Sequence, residues 1–365
     1  MSQAGTTSPS KRAEAHWPFP VSELTAGLRR RLQHPGLRVL EMWQEPMPGR
    51  SGIGTLRGLG VEVQWQLPGP RADQNRQRMS FVVKEPVGAT RAGLAGVGLR
   101  EVGLYKSLAG QLPLATPGLI AADPAGGWLV MERLPPGRPT EAWTAADYRA
   151  AAAALARLHD RFWGLEEDLS YYPWLGRPLT ADFAIHLQAA QAATERIVQQ
   201  SAPSILAAQP TRLKALRHML AHAEQVIEPL RHAPQTLLHG DYWPGNLSIL
   251  PDGRIAAFDW QLSGLGPGVI DLLVLINNGR WWAGDLPVQP GDLVTDYRAA
   301  LAAAPGYEWP DDQWKLLWDH ALMWRFMQEW LDLLAAMPAA LVEARAPLLD
   351  EIWVRPVTEA IERRL

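Results

Sequence analysis

The stretch 237–260, LLHGDYWPGNLSILPDGRIAAFDW, constrains this 365-residue chain more than any other. It holds two short apolar runs, Leu247–Leu250 and Ile255–Phe258, separated by Pro251-Asp252-Gly253-Arg254. Asp-Gly between two such runs is the strongest short-range signal for a β-hairpin. With Asp252-Gly253 as a two-residue turn, Pro251 pairs with Arg254 and Asn246 lies directly opposite Asp259. If Pro251 instead opens a type I turn closed by a bulge at Gly253, the register slips by one residue. In either register Asn246 and Asp259 stand roughly 5–8 Å apart at the backbone.

The residue types around the hairpin carry a chemistry. His239-x-Asp241 precedes it, Asn246 follows Asp241 by five positions, and Asp259 closes the second run. A hydroxyl acceptor needs a carboxylate to orient it and take its proton, and a hard cation such as Mg²⁺ takes carboxylate and amide oxygens. H-x-D-x-x-x-x-N followed by a metal-binding Asp is the order of parts in a phosphoryl-transfer loop. The stretch resembles the Brenner-type motif of the aminoglycoside phosphotransferase / choline kinase-like family. HGDYWPGN, a strand and then FDW match that pattern, with Asp-Trp where protein kinases have Asp-Phe-Gly.

The resemblance extends over approximately residues 36–280. It implies a protein-kinase-like α+β fold, with an N-lobe of antiparallel sheet and one helix and a larger, mostly helical C-lobe carrying the hairpin. It implies ATP (GTP is also compatible), Mg²⁺, and transfer of the γ-phosphate to a hydroxyl of a small molecule: an aminoglycoside, choline, a sugar or an amino alcohol. Asp241 and His239 form the catalytic pair of the loop, Asp241 as base or hydroxyl-orienting group and His239 as its brace. Asn246 and Asp259 would hold Mg²⁺.

The upstream chain supplies candidates for the remaining parts. Residues 1–16 read as a disordered polar leader, 17–134 as the N-lobe and 135–365 as the C-lobe. Val21–Gln33 has the stripe of a short helix. Leu37–Glu45 and Gly60–Leu67 alternate as half-buried strands. Gly52 and Gly54 lie in the glycine-rich loop between them, where backbone N–H groups approach phosphates in kinase-like folds. Met79–Glu85 is a third strand, with Ser80, Val82 and Lys84 on one face. Lys84 resembles the V-A-I-K lysine that meets the phosphates, and Val82 would roof the adenine. Glu101, on the helix Leu99–Leu108, is the family-like partner for that lysine. Leu119–Ala122 and Trp128–Glu132 are the next strands. Met131, Glu132 and Leu134 fall in the span matching the family's adenine-binding hinge, and Pro135-Pro136-Gly137 marks the lobe boundary.

From Trp143 the period changes to 3.6. Helices are expected over Ala145–Asp160, Thr180–Gln199 and Pro210–Leu230, and through the last third of the chain. His159 reads as a hydrogen-bonded structural residue. Asp271 opens an apolar helix, either as a cap favoured by the helix dipole or as an acceptor for the catalytic-loop backbone. Trp324 with Asp319 and Glu329, or Trp281 with Trp282, has the residue types of an aromatic, acidic cage for an ammonium group; tryptophans at helical spacing more commonly fill a core.

Composition narrows the partners. A net charge of −3 gives no reason to expect nucleic acid or an anionic membrane. The absence of cysteine removes disulfide and thiolate chemistry and fits a reducing cytoplasm. A nucleotide-binding pseudokinase with a regulatory or scaffold role is the competing class. A protein kinase fits less well, because no Ala-Pro-Glu element follows Asp259.

Overall fold

The computed structural model describes residues 16–47, 55–66, 74–86, 96–302 and 309–365. The expected leader, apart from His16, and the glycines Gly52 and Gly54 lie outside the described residues. The chain forms two compact units, residues 1–87 with 118–133, and residues 88–117 with 134–365.

The first unit is a five-stranded sheet in the order β1-β2-β3-β5-β4, each pair antiparallel. Its strands are β1 Arg38–Glu45, β2 Thr55–Gln66, β3 Gln74–Glu85, β4 Leu119–Ala122 and β5 Leu129–Glu132. β2 and β3 run five residues longer at their starts than their apolar patterns indicated. The added residues on β3 are polar and pair with β2, where Glu62 meets Arg76 and Arg78. Alternation sorts the faces as expected. Leu59, Val61, Val63, Phe81, Val83 and Val130 turn into one core. Helix α1, Val21–Leu32, covers that core with Leu24 and Leu28. It can lie this close because position 27 has no side chain: a Cβ at Gly27 would stand 2.0 Å from the carbonyl oxygen of Ile120.

The second unit is built on helices. Helix α2, Val97–Ser107, clusters with this unit. Its attachments are visible. Arg100 pairs with Asp182, Gly103 lies against the Trp174 ring, and Ala115 forms a bridge with Ala256. Helix α3, Ala145–Arg161, starts at a capping box between Thr144 and Asp147. The single helix expected over Pro210–Leu230 is two, Pro210–Ala221 and Ala223–His232, broken at His222 with no Gly or Pro to mark the break. The helix Asp311–Arg325 runs on through a π-helical turn, Phe326–Trp330. Trp260, Trp281, Trp324, Trp330 and Trp353 are fully buried in this unit. Among the described residues no helix is long and apolar enough to cross a membrane.

Gly27→Ala tests the contact between α1 and the sheet. Helix propensity alone would favour Ala by about 1 kcal/mol. The clash is with a backbone oxygen that cannot rotate away, so a net loss of about 1–3 kcal/mol is expected in denaturant unfolding.

Candidate active site

The site is built on one strand, one loop and one hairpin of the second unit. β6 (Thr236–Leu238) pairs with β9 (Gly264–Gly266) and delivers the chain to His239. Gly240 then takes φ +83, and a Cβ there would stand 2.1 Å from the carbonyl oxygen of Leu262. Only glycine satisfies both conditions. The loop is held from below by Asp271. Its Oδ2 accepts from the backbone N–H of His239 at 2.7 Å and its Oδ1 from that of Gly240 at 2.9 Å. Of the two readings of Asp271, the loop acceptor is the one that forms.

His239 ties the loop to the hairpin. Its Nδ1 accepts from the Asp241 N–H at 3.3 Å, so Nε2 carries the proton and donates to the carbonyl of Phe258 at 3.0 Å. Both ring nitrogens are thus engaged by backbone. His159 is buried between the Tyr297 hydroxyl (2.6 Å) and Asp271 (3.4 Å), a structural position.

The hairpin is β7 (Leu247–Ile249) and β8 (Ile255–Ala257), with Leu247 opposite Ala257. This is the slipped register. The Gly253 N–H bonds the carbonyl of Leu250, Gly253 sits at φ +81, and the Leu250 N–H reaches the carbonyl of Arg254. Proline at the second position of the turn and glycine after Asp252 give a type I turn closed by a bulge. Asn246 therefore faces Phe258, whose N–H bonds the Asn246 carbonyl at 3.0 Å, and Asp259 lies one residue further on. Asp259 adopts φ +65, ψ +55, a left-handed conformation rare outside glycine. Strain of this kind concentrates at functional positions.

Asp241 is held from two sides. The Asn246 amide donates to its Oδ2 at 2.8 Å and to its backbone carbonyl at 2.9 Å. The Asn278 amide reaches its Oδ1 at 3.4 Å. Burial pushes the Asp241 carboxyl up to about 7, and the nearby charges of Glu329 and Asp259 add to the rise. Arg325 and the Asn246 hydrogen bond oppose it. Because the Asn246 nitrogen is committed to Asp241, its Oδ1 is directed elsewhere. The donor set of Asn246 Oδ1 and the Asp259 carboxylate is all hard oxygen, which fits Mg²⁺. Among the described residues no cluster of three or more His, Cys, Asp or Glu forms a protein-only metal cage.

The remaining predicted positions divide between the units. In the first, Lys84 is buried on β3 opposite Leu56 and Leu129, and Val82 is half-buried opposite Met131. The Glu132 carboxylate meets Arg31 at 2.8 Å and the Gly118 N–H at 3.2 Å. In the second, Glu101 is fully buried on α2, which packs on the turn Trp260–Leu262 immediately after Asp259, and Leu134 is half-buried at the start of the C-terminal part.

A family model described as a phosphotransferase enzyme family matches residues 71–314. The chain belongs to this family. No curated protein sequence matches it significantly. Among solved structures, an ethanolamine kinase from Plasmodium vivax superposes with a TM-score of 0.53 at 11% identity, covering 85% of this chain and 81% of the other. An ADP-bound aminoglycoside phosphotransferase, APH(2'')-Ib, gives a TM-score of 0.50 at 14% identity, covering 93% and 99%. The protein-kinase-like fold is therefore shared, with its five-stranded antiparallel sheet and mostly helical remainder.

In this phosphotransferase, three site residues escaped the sequence reading or were given another role. Asn278 carried a signal: it sits two turns after Asp271 in an apolar helix where the pair Asn277-Asn278 stands out. Arg325, at the end of the helix Asp311–Arg325, and Glu329, in the π-helical turn that follows, meet each other as an ion pair. The ammonium cage with Trp324 and Asp319 is not assembled. Trp324 is buried against Phe183 and His186, and Asp319 is bonded to Arg363 at 2.9 Å and Arg364 at 2.8 Å.

Asp271 gives a test of the loop's foundation. Burial alone would raise its carboxyl, but hydrogen bonding and charge interactions with His159 and His239 hold it below the usual range. A lowered folded-state value means that its contribution is fully present above about pH 4 and is lost as pH falls through the folded value. Asp271→Asn turns an NH₂ group toward one of the two loop N–H groups, so a loss of about 2–4 kcal/mol at pH 7 is expected. In urea titrations the gap between variant and wild type should close as the pH is taken well below 4.

Proposed function

We propose that the protein is a small-molecule kinase that moves the γ-phosphate of ATP to a hydroxyl of its acceptor. The observation that carries this reading is the Asp241 carboxylate, fixed by the Asn246 and Asn278 amides beside an oxygen donor pair on a hairpin. The family match supports phosphoryl transfer, and the absence of a long element between Asp259 and the helix Val269–Ala283 leaves little to dock a peptide.

In this scheme Asp241 orients the acceptor hydroxyl. As the hydroxyl oxygen bonds to the γ-phosphorus, the bond from that phosphorus to the β–γ bridging oxygen breaks, and the hydroxyl proton passes to Asp241. A carboxylate pushed up to about 7 is well matched to accept that proton near neutrality. Asn246 and Asp259 would hold Mg²⁺, which when bound neutralises phosphate charge. Lys84 would meet the α- and β-phosphates and Glu101 would orient it. Val82, Met131, Glu132 and Leu134 would enclose the adenine. Most of the catalysis in such a site is positioning and charge neutralisation.

Asp241→Asn is expected to lower kcat by on the order of 10²-fold or more, while the rise in melting temperature on adding Mg-ADP is retained. Asp259→Asn should lose the Mg²⁺-dependent part of that rise. Coupled ADP release over a panel of hydroxylated metabolites and antibiotics is the measurement. Wild-type turnover by Asp241→Asn would refute the assignment, and Mg-ATP binding with no turnover on any acceptor would favour a pseudokinase.

A further inference from the structure

The helix Val269–Ala283 reads along the catalytic loop like a ruler. Asp271 bonds the backbone of His239 and Gly240, Asn278 reaches the side chain of Asp241, and Trp282 meets Trp243, ring centroids 6.2 Å apart. Positions 271, 278 and 282 share one face of a helix. The next residue back, Trp281, packs edge-on against Trp330 at 5.4 Å. Trp330 closes the π-helical turn that begins just after Arg325. That turn therefore lies against the helix that carries Asn278. π-helical turns inside α-helices occur often at functional sites.

Several buried polar atoms here have no hydrogen-bond partner among the described residues, and two of them belong to side chains that act on Asp241. Arg325 is 2% exposed, and its Nε has no acceptor among the described residues. Asn278 is also 2% exposed, and its Oδ1 has no donor among them. A buried donor and a buried acceptor left open are costly and call for a ligand or water. A hydroxyl group both donates and accepts, so a polyhydroxylated molecule answers both. We propose that Arg325 and Asn278 form an acceptor subsite beside Asp241, and that this subsite takes an uncharged, oxygen-rich acceptor of the sugar or polyol class.

The charges select against the alternatives. The Glu329 carboxylate already faces Arg325, and Asp319 already faces Arg363 and Arg364. An ammonium-bearing acceptor would have to compete with guanidinium groups for both. An anionic acceptor gains little from Arg325, whose charge Glu329 offsets. Trp282 is 41% exposed on the same helix face as Asn278 and offers a flat apolar surface to the C–H face of a sugar ring. An indole face attracts cations as well, so the ring admits either class and the paired carboxylates decide. The inference rests on the small-molecule kinase reading.

The experiment compares ADP release from Mg-ATP with three kinds of hydroxyl compound: neutral sugars and polyols (glucose, ribose, sorbitol), choline, and gluconate. The neutral arm is expected to give the highest kcat/KM. Arg325→Lys keeps the charge facing Glu329 but removes the Nε–H. It should raise KM for the preferred sugar about tenfold and leave KM for Mg-ATP unchanged. Asn278→Ala should raise the same KM and also lower kcat, since it frees the Asp241 carboxylate. Melting temperatures with and without Mg-ATP report folding and nucleotide binding for each variant. Preference for choline or gluconate, no sugar turnover by a protein stabilised by Mg-ATP, or an unchanged sugar KM in a folded Arg325→Lys variant would each overturn the inference. Failure of Mg-ATP to raise the wild-type melting temperature would instead sink the kinase reading beneath it.

Discussion

One carboxylate holds the catalytic loop in place. Asp271 is fully buried and spends both oxygens on consecutive backbone N–H groups, those of His239 and Gly240. Fixing two successive peptide units fixes the direction in which the chain leaves β6. From that direction follow the positive φ of Gly240, the brace of His239 onto Phe258, and the aim of Asp241. A buried ionised group is tolerable only when its hydrogen bonds are complete. Here His159, itself held by the Tyr297 hydroxyl, completes them.

Much of this was legible in the sequence because the signals are local. The hairpin announces itself through Asp252-Gly253, the first-unit strands through alternation at Val61, Val63, Phe81 and Val83, and α3 through its change of period. Lys84 stood out at the end of an apolar run and Glu101 on the helix that follows it, and both are buried. The family pattern in 237–260 tied these local signals to a fold that the superpositions share.

The parts that stayed hidden depend on distance in sequence. Nothing local says that residues 96–117 cluster with the helices, because that grouping is made by Asp182, Trp174 and Ala256. The break at His222 has no Gly or Pro to mark it. The π-helical turn at Phe326–Trp330 is likewise invisible to a 3.6-residue period, since it inserts a single residue's worth of offset into an otherwise regular helix. Glu329 was grouped with Trp324 and Asp319, yet it pairs with the buried Arg325, and both act on Asp241. The tryptophans followed the commoner rule, and all but the exposed Trp282 of those singled out for a cage lie in the core.

The bulge at Gly253 makes the hairpin a length gauge. Side chains on a strand alternate with a period of two, so the face on which Asp259 emerges depends on whether the number of residues between Asn246 and Asp259 is odd or even. The type I turn with its bulge uses one residue more on one strand than a tight two-residue turn would. Losing or gaining a single residue at this exposed tip would shift the pairing by one and turn the side chains of one strand, Ile255 and Ala257 among them, to the opposite face. A surface turn, usually the most forgiving place for an insertion, is in this chain held to fixed parity by the two strands it joins.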